Sequence, residues 1–516
     1  MYRAFCALLF SLIISQPLHA QIFPTEGSSV NYILVGFSFP SVRHANEYRL
    51  EIANGDRNTE ESFKQNIIRS VSCKENKVIA EVTSFGSKYT WRVVSKTGNT
   101  TETGSMHHFS TMPVEDADTS KMKMQVLKSA EKYRDAFILS DFNRAMYDMN
   151  GRLVWFLPQT DESRFDIRQV RDLKITSYGT ITFIYGNHDA YEVDYNGKVL
   201  WKAPEKGINI GDSTGRFNHE LTRLSNGNYM VLGSEFIWSD PNFIPPKPGE
   251  PPPRRKPGEP MSHVPHRIVS GTIAEYDKKG NVIWSWKCSS YFPNSDLKDF
   301  PNHLLRPMDD IHQNSFYFDE IHKVIYLSYK NIHRIIKLKY PEGTVLTTYG
   351  EVFTPGQMVA KGNDLFCFQH SVKMSQDGYL YLFNNNSCNP DNAPQILMLK
   401  ELHSPKDSLA VVWKYEFPVE PFKEQWLSRA HSNISADETV GGNVVELPDK
   451  SMFATLCVPY NDMFIISRDN KVLWHARNEA WSIDDKKWKE ASMYRGSIIP
   501  DRKDLENIIW NSEPKN

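Results

Sequence analysis

Three stretches of the chain read alike: DMNGRLVW from Asp148 to Trp155, DYNGKVLW from Asp194 to Trp201, and DKKGNVIW from Asp277 to Trp284. Each is D-x-x-G-x-x-x-W. Asp and Gly supply a tight turn, Gly by tolerating positive φ, and the apolar-rich strand that follows ends in a tryptophan large enough to fill space between neighbouring sheets. A partial copy runs from Ser467 to Trp474 with Asn470 at the glycine position. Two degenerate copies lie in KLKYPEGTVLTT (337–348) and SPKDSLAVVWKYE (404–416). That makes six units, and self-similarity of this kind marks a repeat architecture.

Working outward, the segments between copies are short runs such as ITFIYG (181–186), NYMVLGSE (228–235), KVIYLSYK (323–330), YLYLFNN (379–385) and MFATLCV (452–458). Their length and their β-branched and aromatic content are those of strands, and helical periodicity is scarce. Copies start 46 residues apart at Asp148 and Asp194, and 83 apart at Asp194 and Asp277. Several strands per unit over six units predict an all-β fold, a six-bladed β-propeller across 131–480, because a sandwich has far fewer strands. The proline-rich run IPPKPGEPPPRRKPGEPMSHVPHR (244–267) cannot pair as a central strand and is expected to be an extended excursion within the third blade.

The flanking segments read differently. Residues 21–112 carry alternating strands in EYRLEIA and KYTWRVVSK without the repeat, as in a small Ig-like or fibronectin-like sandwich. Residues 113–130 are expected to be a polar linker or short helix. Residues 481–516 form a tail with no strong signal, which Trp481, Trp488 and Trp510 would dock. Arg3, the apolar run Phe5–Ile14 and the ending Leu18-His19-Ala20 predict a secretory signal over 1–20, cleaved before Gln21, and hence a periplasmic or secreted protein. No later stretch has the roughly twenty apolar residues of a membrane span. Past the signal, Cys73, Cys288, Cys367, Cys388 and Cys457 are too few for a disulfide scaffold, with Cys367 and Cys388 the nearest pair.

A net charge of -2 with both signs interspersed argues against a nucleic-acid surface. The chain also lacks a G-x-x-x-x-G-K-S/T phosphate loop, since GSKYT at 86–90 has the wrong spacing. Cys457-Val-Pro-Tyr-Asn461 departs from the C-x-P-x-R signature of hydrolytic sulfatases, with asparagine where arginine is required.

Three histidines share one register. His219 stands eight residues before Gly227 in LSNGN, His312 eight before Glu320 in YFDEIHK, and His370 eight before Gly378 in MSQDG. With 16 histidines in 516 residues, that coincidence predicts that the three project around one funnel. His431, in SRAHSN, falls outside the register. Metal binding, nucleophilic and acid-base chemistry, and simple capping of carbonyls are all open to three imidazoles. No HxH or HExxH spacing favours a metal, whereas one imidazole as nucleophile and another as proton donor is ordinary histidine chemistry. Lys330, eighteen residues past His312 in IYLSYKNIHRIIKL, is the candidate cation.

In order, spacing and histidine context, FNHELTRLSNGNYMVLGSE, GTIAEYDKKGNVIWSW, DDIHQNSFYFDEIHKVIYLSYKNIHRIIKL and FQHSVKMSQDGYLYLFNNN resemble the bacterial arylsulfate sulfotransferases that do not use the nucleotide sulfate donor. The resemblance runs from about 120 to 480. It implies a six-bladed propeller behind a small sandwich. It also implies ping-pong transfer of a sulfuryl group from a phenolic sulfate ester to a phenol, with no cofactor and no metal. By position His370 would be the nucleophile, His219 and His312 supporting residues, and Asn314 a substrate-binding residue. Lys330 stands where the family usually has arginine, so the charge stays but the planar fork is lost. Partners would be small-molecule donors and acceptors, with no nucleic acid and no membrane span, and a homodimer is one assembly open to the chain. The alternatives are a non-catalytic cell-envelope propeller that binds a glycan or protein, and a quinone-dependent dehydrogenase.

Overall fold

The computed structural model describes residues 22–114, 120–158, 170–186, 188–204, 216–240, 242–244, 264–292, 310–350, 365–386, 393–402, 408–418, 441–457, 461–491 and 493–512. The protein is all-β and divides into two compact units, 1–113 and 114–512. The signal segment, most of the proline-rich run, Cys388 and His431 lie outside the described residues.

In the first unit, Ser28–Val30, His107–Thr111, Lys88–Thr97, Glu47–Asn54 and Ile67–Cys73 form one sheet in that order, with Thr100–Thr103 also paired to Lys88–Thr97. Leu34–Ser38 and Lys77–Glu81 form a second sheet. Alternation in EYRLEIA and KYTWRVV turns Leu50, Ile52, Tyr89 and Trp91 inward, where Phe37 meets Trp91 edge-on at 5.2 Å and Phe109 at 5.7 Å.

The described part of the second unit holds six antiparallel sheets. Sheet 1 runs Gly496–Ile499, Phe137–Ser140, Ala145–Asp148, Leu153–Phe156. Sheet 2 runs Val170–Ile175, Ile181–Tyr185, Asp189–Val193, Val199–Lys202. Sheet 3 is Arg216–Arg223, Tyr229–Trp238, Arg267–Tyr276, Val282–Lys287. Sheet 4 is Gln313–Asp319, Val324–Tyr329, Arg334–Lys339, Thr344–Gly350. Sheet 5 is His370–Met374, Leu380–Asn384, Gln395–Leu402, Ser408–Glu416. Sheet 6 is Asn443–Glu446, Met452–Thr455, Asp462–Ile466, Val472–Ser482. The first strand of each sheet touches the first strand of the next, and that of sheet 6 touches that of sheet 1, so the order closes on itself.

All six repeat copies fall at one place, the connection from third to fourth strand. The reason is local. Asp148 Oδ1 accepts from the amides of Asn150 and Arg152 at 3.0 Å, Asp277 Oδ1 does the same for Lys279 and Asn281 at 2.8 Å, and Gly151 and Gly280 sit at φ 82° and 84°. Asn470 takes φ 64° in the partial copy, a conformation asparagine tolerates better than other side chains.

The repeat tryptophans then join sheet to sheet. The indole N–H of Trp155 donates to the Tyr195 carbonyl at 2.7 Å, Trp284 to Pro341 at 2.7 Å, and Trp413 to Arg468 at 2.9 Å. Trp474 donates to Met149 at 3.1 Å. In each case the acceptor is the second residue of the next copy's turn, and the Trp474 bond carries sheet 6 back to sheet 1. Trp201 makes no such bond and instead stacks on Tyr229, 3.8 Å between centroids.

Two flanking segments differ from the sequence reading. Met122–Lys128, within the expected linker, is a strand that pairs with Val472–Ser482. The expected tail supplies Lys487–Glu490 to sheet 6, the first strand of sheet 1 and the helix Arg502–Asn511, whose N-cap Asp501 accepts from the Asp504 amide at 2.9 Å. Met122–Lys128 and Gly496–Ile499 are short and find partners hundreds of residues away, so no local pattern announces them. Trp481 and Trp488 do meet, edge-on at 5.6 Å, across that added hairpin.

Trp474 is fully buried. Trp474→Ala is expected to cost about 3–5 kcal/mol and Trp474→Phe, which keeps most of the bulk and loses the indole bond, about 1–2 kcal/mol. Denaturant unfolding of the two variants measures both.

Candidate active site

The first strands position the site, and a shared irregularity aims it. Pairing with the second strand slips in sheets 2 to 5, and within those slips Asp172, His219 and Ser371 take φ 54°, 58° and 57°, while His312 takes φ 55° just before its strand begins. Bulges of this kind redirect a side chain out of the normal alternation. The positive φ falls on His219 and His312 themselves, but on the residue after His370. Equal sequence register therefore does not give equal orientation.

His219 and His312 face each other, ring centroids 4.9 Å apart, on a cavity of about 340 Å³ that Arg171, Ser234, Gly271, Asp310, Gln313 and Tyr494 also line. His219 Nδ1 lies 2.5 Å from the Tyr494 hydroxyl. Burial, reinforced by the neighbouring His312, pushes His219 well below the ordinary imidazole value, so it is neutral at pH 7. The Tyr494 hydroxyl is pushed up to about 12 by burial and stays a phenol. His312 is held as a dyad: Asp310 accepts from its amide at 2.7 Å and from Nδ1 at 3.0 Å. Burial alone would raise the Asp310 carboxyl, but His312 outweighs it and holds the acid below its usual range. Nε2 of His312 is buried and has no hydrogen-bond partner among the described residues.

His370 stands behind this wall, fully buried. Its Nδ1 is within reach of two oxygens, Asn385 Oδ1 at 2.7 Å and Phe368 O at 3.0 Å, so Nδ1 carries the proton and Nε2 the lone pair. Nε2 accepts from the Gly441 amide at 3.3 Å. Burial first, then the Lys330 ammonium, hold His370 well below its ordinary value.

The other two candidates are turned aside from the cavity wall. Asn314 is buried and gives its amide to the Gln369 carbonyl at 2.7 Å, tying sheet 4 to the residue before His370. Lys330 is buried too. Its backbone amide donates to the His312 carbonyl at 2.9 Å and its ammonium lies 5.6 Å from the Phe368 ring centre.

Arg171 is the cation on the cavity. Its guanidinium lies 5.0 Å over the Tyr494 ring and makes no hydrogen bond or ion pair among the described residues. Arg495 is spent on structure: it donates to Asp172 Oδ1 at 2.9 Å and to the carbonyls of His219 and Asn314 at 3.1 and 2.8 Å, joining sheets 1 to 4 at their inner edges. Beneath it Glu220 lies among Lys373, Lys174 and Arg495. Burial alone would raise this acid, but the cations outweigh it and bring it down to about 2.

Sequence reasoning missed Arg171, Tyr494, Arg495 and Asp310. Asp310-x-His312 was the one local signal, a carboxylate two residues before a candidate histidine. Among the described residues no three His, Cys, Asp or Glu side chains gather as a metal site.

Two imidazoles and a guanidinium around a small cavity make a site suited to an oxyanion. The chain belongs to the arylsulfotransferase (ASST) family, whose model matches residues 110–241 and 261–416, a span that holds all five candidate residues. No curated protein matches it. Among solved structures it is similar to a putative 6-phosphogluconolactonase of Bacteroides fragilis, at 10% identity over 89% of this chain and 99% of that one, TM-score 0.32. It is also similar to the periplasmic gluconolactonase of Pseudomonas aeruginosa, at 9% over 73% and 99%, TM-score 0.32. A third is a Myceliophteria thermophila β-propeller domain, at 7% over 68% and 89%, TM-score 0.32.

The depressed Glu220 carboxyl carries a pH dependence. Its contribution is present above the unfolded carboxylate value of about 4.3 and is lost as pH falls towards the folded value. The melting temperature is expected to drop between pH 5 and pH 3. Glu220→Gln, which leaves Lys373 uncompensated, should be less stable at pH 7 by about 3 kcal/mol and show a flatter acid limb by calorimetry.

Proposed function

We propose that this protein moves a sulfuryl group from a phenolic sulfate ester to an acceptor phenol, with a sulfohistidine on the way and without a nucleotide donor. The observation that carries this reading is the tautomer of His370. Asn385 fixes the proton on Nδ1, which leaves the Nε2 lone pair available in a ring that burial keeps neutral.

In the first half-reaction Nε2 gives up the Gly441 amide and attacks sulfur. The N–S bond forms as the S–O bond to the aryl group breaks, and the departing phenolate takes a proton from the His219–Tyr494 pair or from His312. In the second half, the group that gave the proton takes it back from the incoming phenol, whose oxygen attacks sulfur as the N–S bond breaks. Charge on the sulfuryl oxygens would be met by Arg171 from the cavity side and Lys330 from the His370 side. This divides between two residues what a single arginine would do.

Around that chemistry we read the six sheets as blades of a six-bladed β-propeller over about 131–480, with Gly496–Ile499 closing the first blade. The unit before residue 113 is read as an Ig-like or fibronectin-like sandwich, and residues 1–20 as a cleaved signal that sends the protein to the periplasm or outside. No helix of the described residues is long and apolar enough to cross a membrane.

One observation favours a second assignment of the nucleophile. His312 lines the cavity with Nδ1 held by Asp310 and Nε2 unpartnered among the described residues, so it too can present a lone pair. Mass spectrometry of peptides after donor exposure separates the two: the sulfuryl group is expected on the peptide with His370, and on that with His312 if the second assignment holds.

Purified protein given 4-nitrophenyl sulfate is expected to release nitrophenolate faster when phenol is added, with parallel lines in a two-substrate analysis. His370→Ala should lose transfer by on the order of a thousandfold or more. Transfer at the parental rate in that variant would overturn the His370 assignment, and acceptor-independent silence in the parent would favour a binding propeller.

A further inference from the structure

Gln313 follows the Asp310–His312 dyad and lines the same cavity as His219 and Arg171. The residue is 4% exposed, yet neither Nε2 nor Oε1 has a hydrogen-bond partner among the described residues. A buried carboxamide with both ends unspent is costly, and such groups are normally satisfied by protein, water or ligand. Exchanging the oxygen and nitrogen leaves this unchanged, because both atoms lack partners.

The facing wall is shaped for it. A Cβ on Gly271 would collide with Gln313 Oε1 and stand 2.7 Å from its Cδ, so the carboxamide lies in space that only glycine leaves open. A residue of the cavity wall where the two imidazoles meet thus carries an unpaired donor and an unpaired acceptor, packed against Gly271.

We infer that Gln313 reads a second hydroxyl on the aryl acceptor, so that this protein prefers phenols bearing a further hydroxyl group over simple phenols and their ethers. A hydroxyl donates to Oε1 and accepts from Nε2 at once, closing a cyclic pair with a primary amide. A methoxy oxygen only accepts, and a ring hydrogen does neither. Selection of this kind is efficient because the wrong acceptor leaves a buried polar group without its partner. The inference rests on the sulfuryl-transfer reading and adds the acceptor class to it.

The test compares kcat/KM for catechol, resorcinol and hydroquinone with that for the monomethyl ether of each, with 4-nitrophenyl sulfate as donor. In the parental protein at least one regioisomer is expected to exceed its ether by about tenfold or more. In Gln313→Leu that ratio should fall towards one. Gly271→Ala keeps the carboxamide but fills its space, and should lower the same ratio. The readout is a ratio within each variant, so a general loss of activity or stability does not imitate it. An unchanged ratio in both variants, or no preference in the parent, overturns the inference.

Calorimetric binding of the same pairs needs no turnover and separates the two layers. A hydroxyl preference in binding that Gln313→Leu abolishes, in a protein that transfers no sulfate, sinks the transfer reading and keeps the Gln313 site. Transfer without the preference does the reverse.

Discussion

The indole-to-carbonyl bond that passes from one sheet to the turn of the next is the interaction on which the rest of the second unit depends. It occurs at Trp155, Trp284, Trp413 and Trp474, and the last of these returns the chain from sheet 6 to sheet 1. A four-stranded sheet cannot bury both faces alone. A tryptophan between two sheets fills the wedge where they diverge, and its single donor fixes their register to one residue. The candidate site needs that register, because its groups come with five of the six sheets: Arg171 with sheet 2, His219 with sheet 3, His312 and Lys330 with sheet 4, His370 with sheet 5, and Tyr494 just ahead of the strand Gly496–Ile499 that closes sheet 1.

At the inner edges the constraint changes from packing to charge. Arg495, Lys174 and Lys373 share a confined space with Asp172 and Glu220, and the mutual compensation keeps all of them tolerable away from water. Arg495 also holds the His219 carbonyl, so the network that closes the centre positions one of the imidazoles above it. Above that floor the burden is different: His219 and His370 are kept neutral, and Arg171 keeps an unspent guanidinium on the cavity. The cations of the buried network are thus distinct from the one on the cavity, although Arg171 and Lys174 share one strand.

Much of the second unit was legible along the chain. The turn units could be read because an aspartate, a glycine and a tryptophan each act within eight residues, and each copy does lie on the third-to-fourth connection. The shared register of His219, His312 and His370 was a true sign that three first strands are equivalent. It did not tell where the side chains point, since a positive φ on His219 and His312 but on Ser371 rather than His370 turns two rings to the cavity and one behind it. Asn314 and Lys330 sit close to the histidines, yet hydrogen bonding and burial hold them off the cavity wall. Arg171 carried no signal because nothing in its own sheet repeats it, and Tyr494 and Arg495 lay in a segment read as a tail.

What the amino-acid sequence determined by itself is the local chemistry: turns made by Asp and Gly, strands made by alternating and β-branched runs, and a set of histidines in step with them. These follow from interactions between residues a few positions apart, which no other part of the chain can alter. Closure of the ring, the pairing of Gly496–Ile499 with Phe137–Ser140 and of Met122–Lys128 with Val472–Ser482, and the meeting of Arg171, His219, His312 and Tyr494 were decided only by the tertiary structure. The physical reason is that a strand's hydrogen bonds are satisfied equally well by any partner strand, and only the packing of the whole selects one.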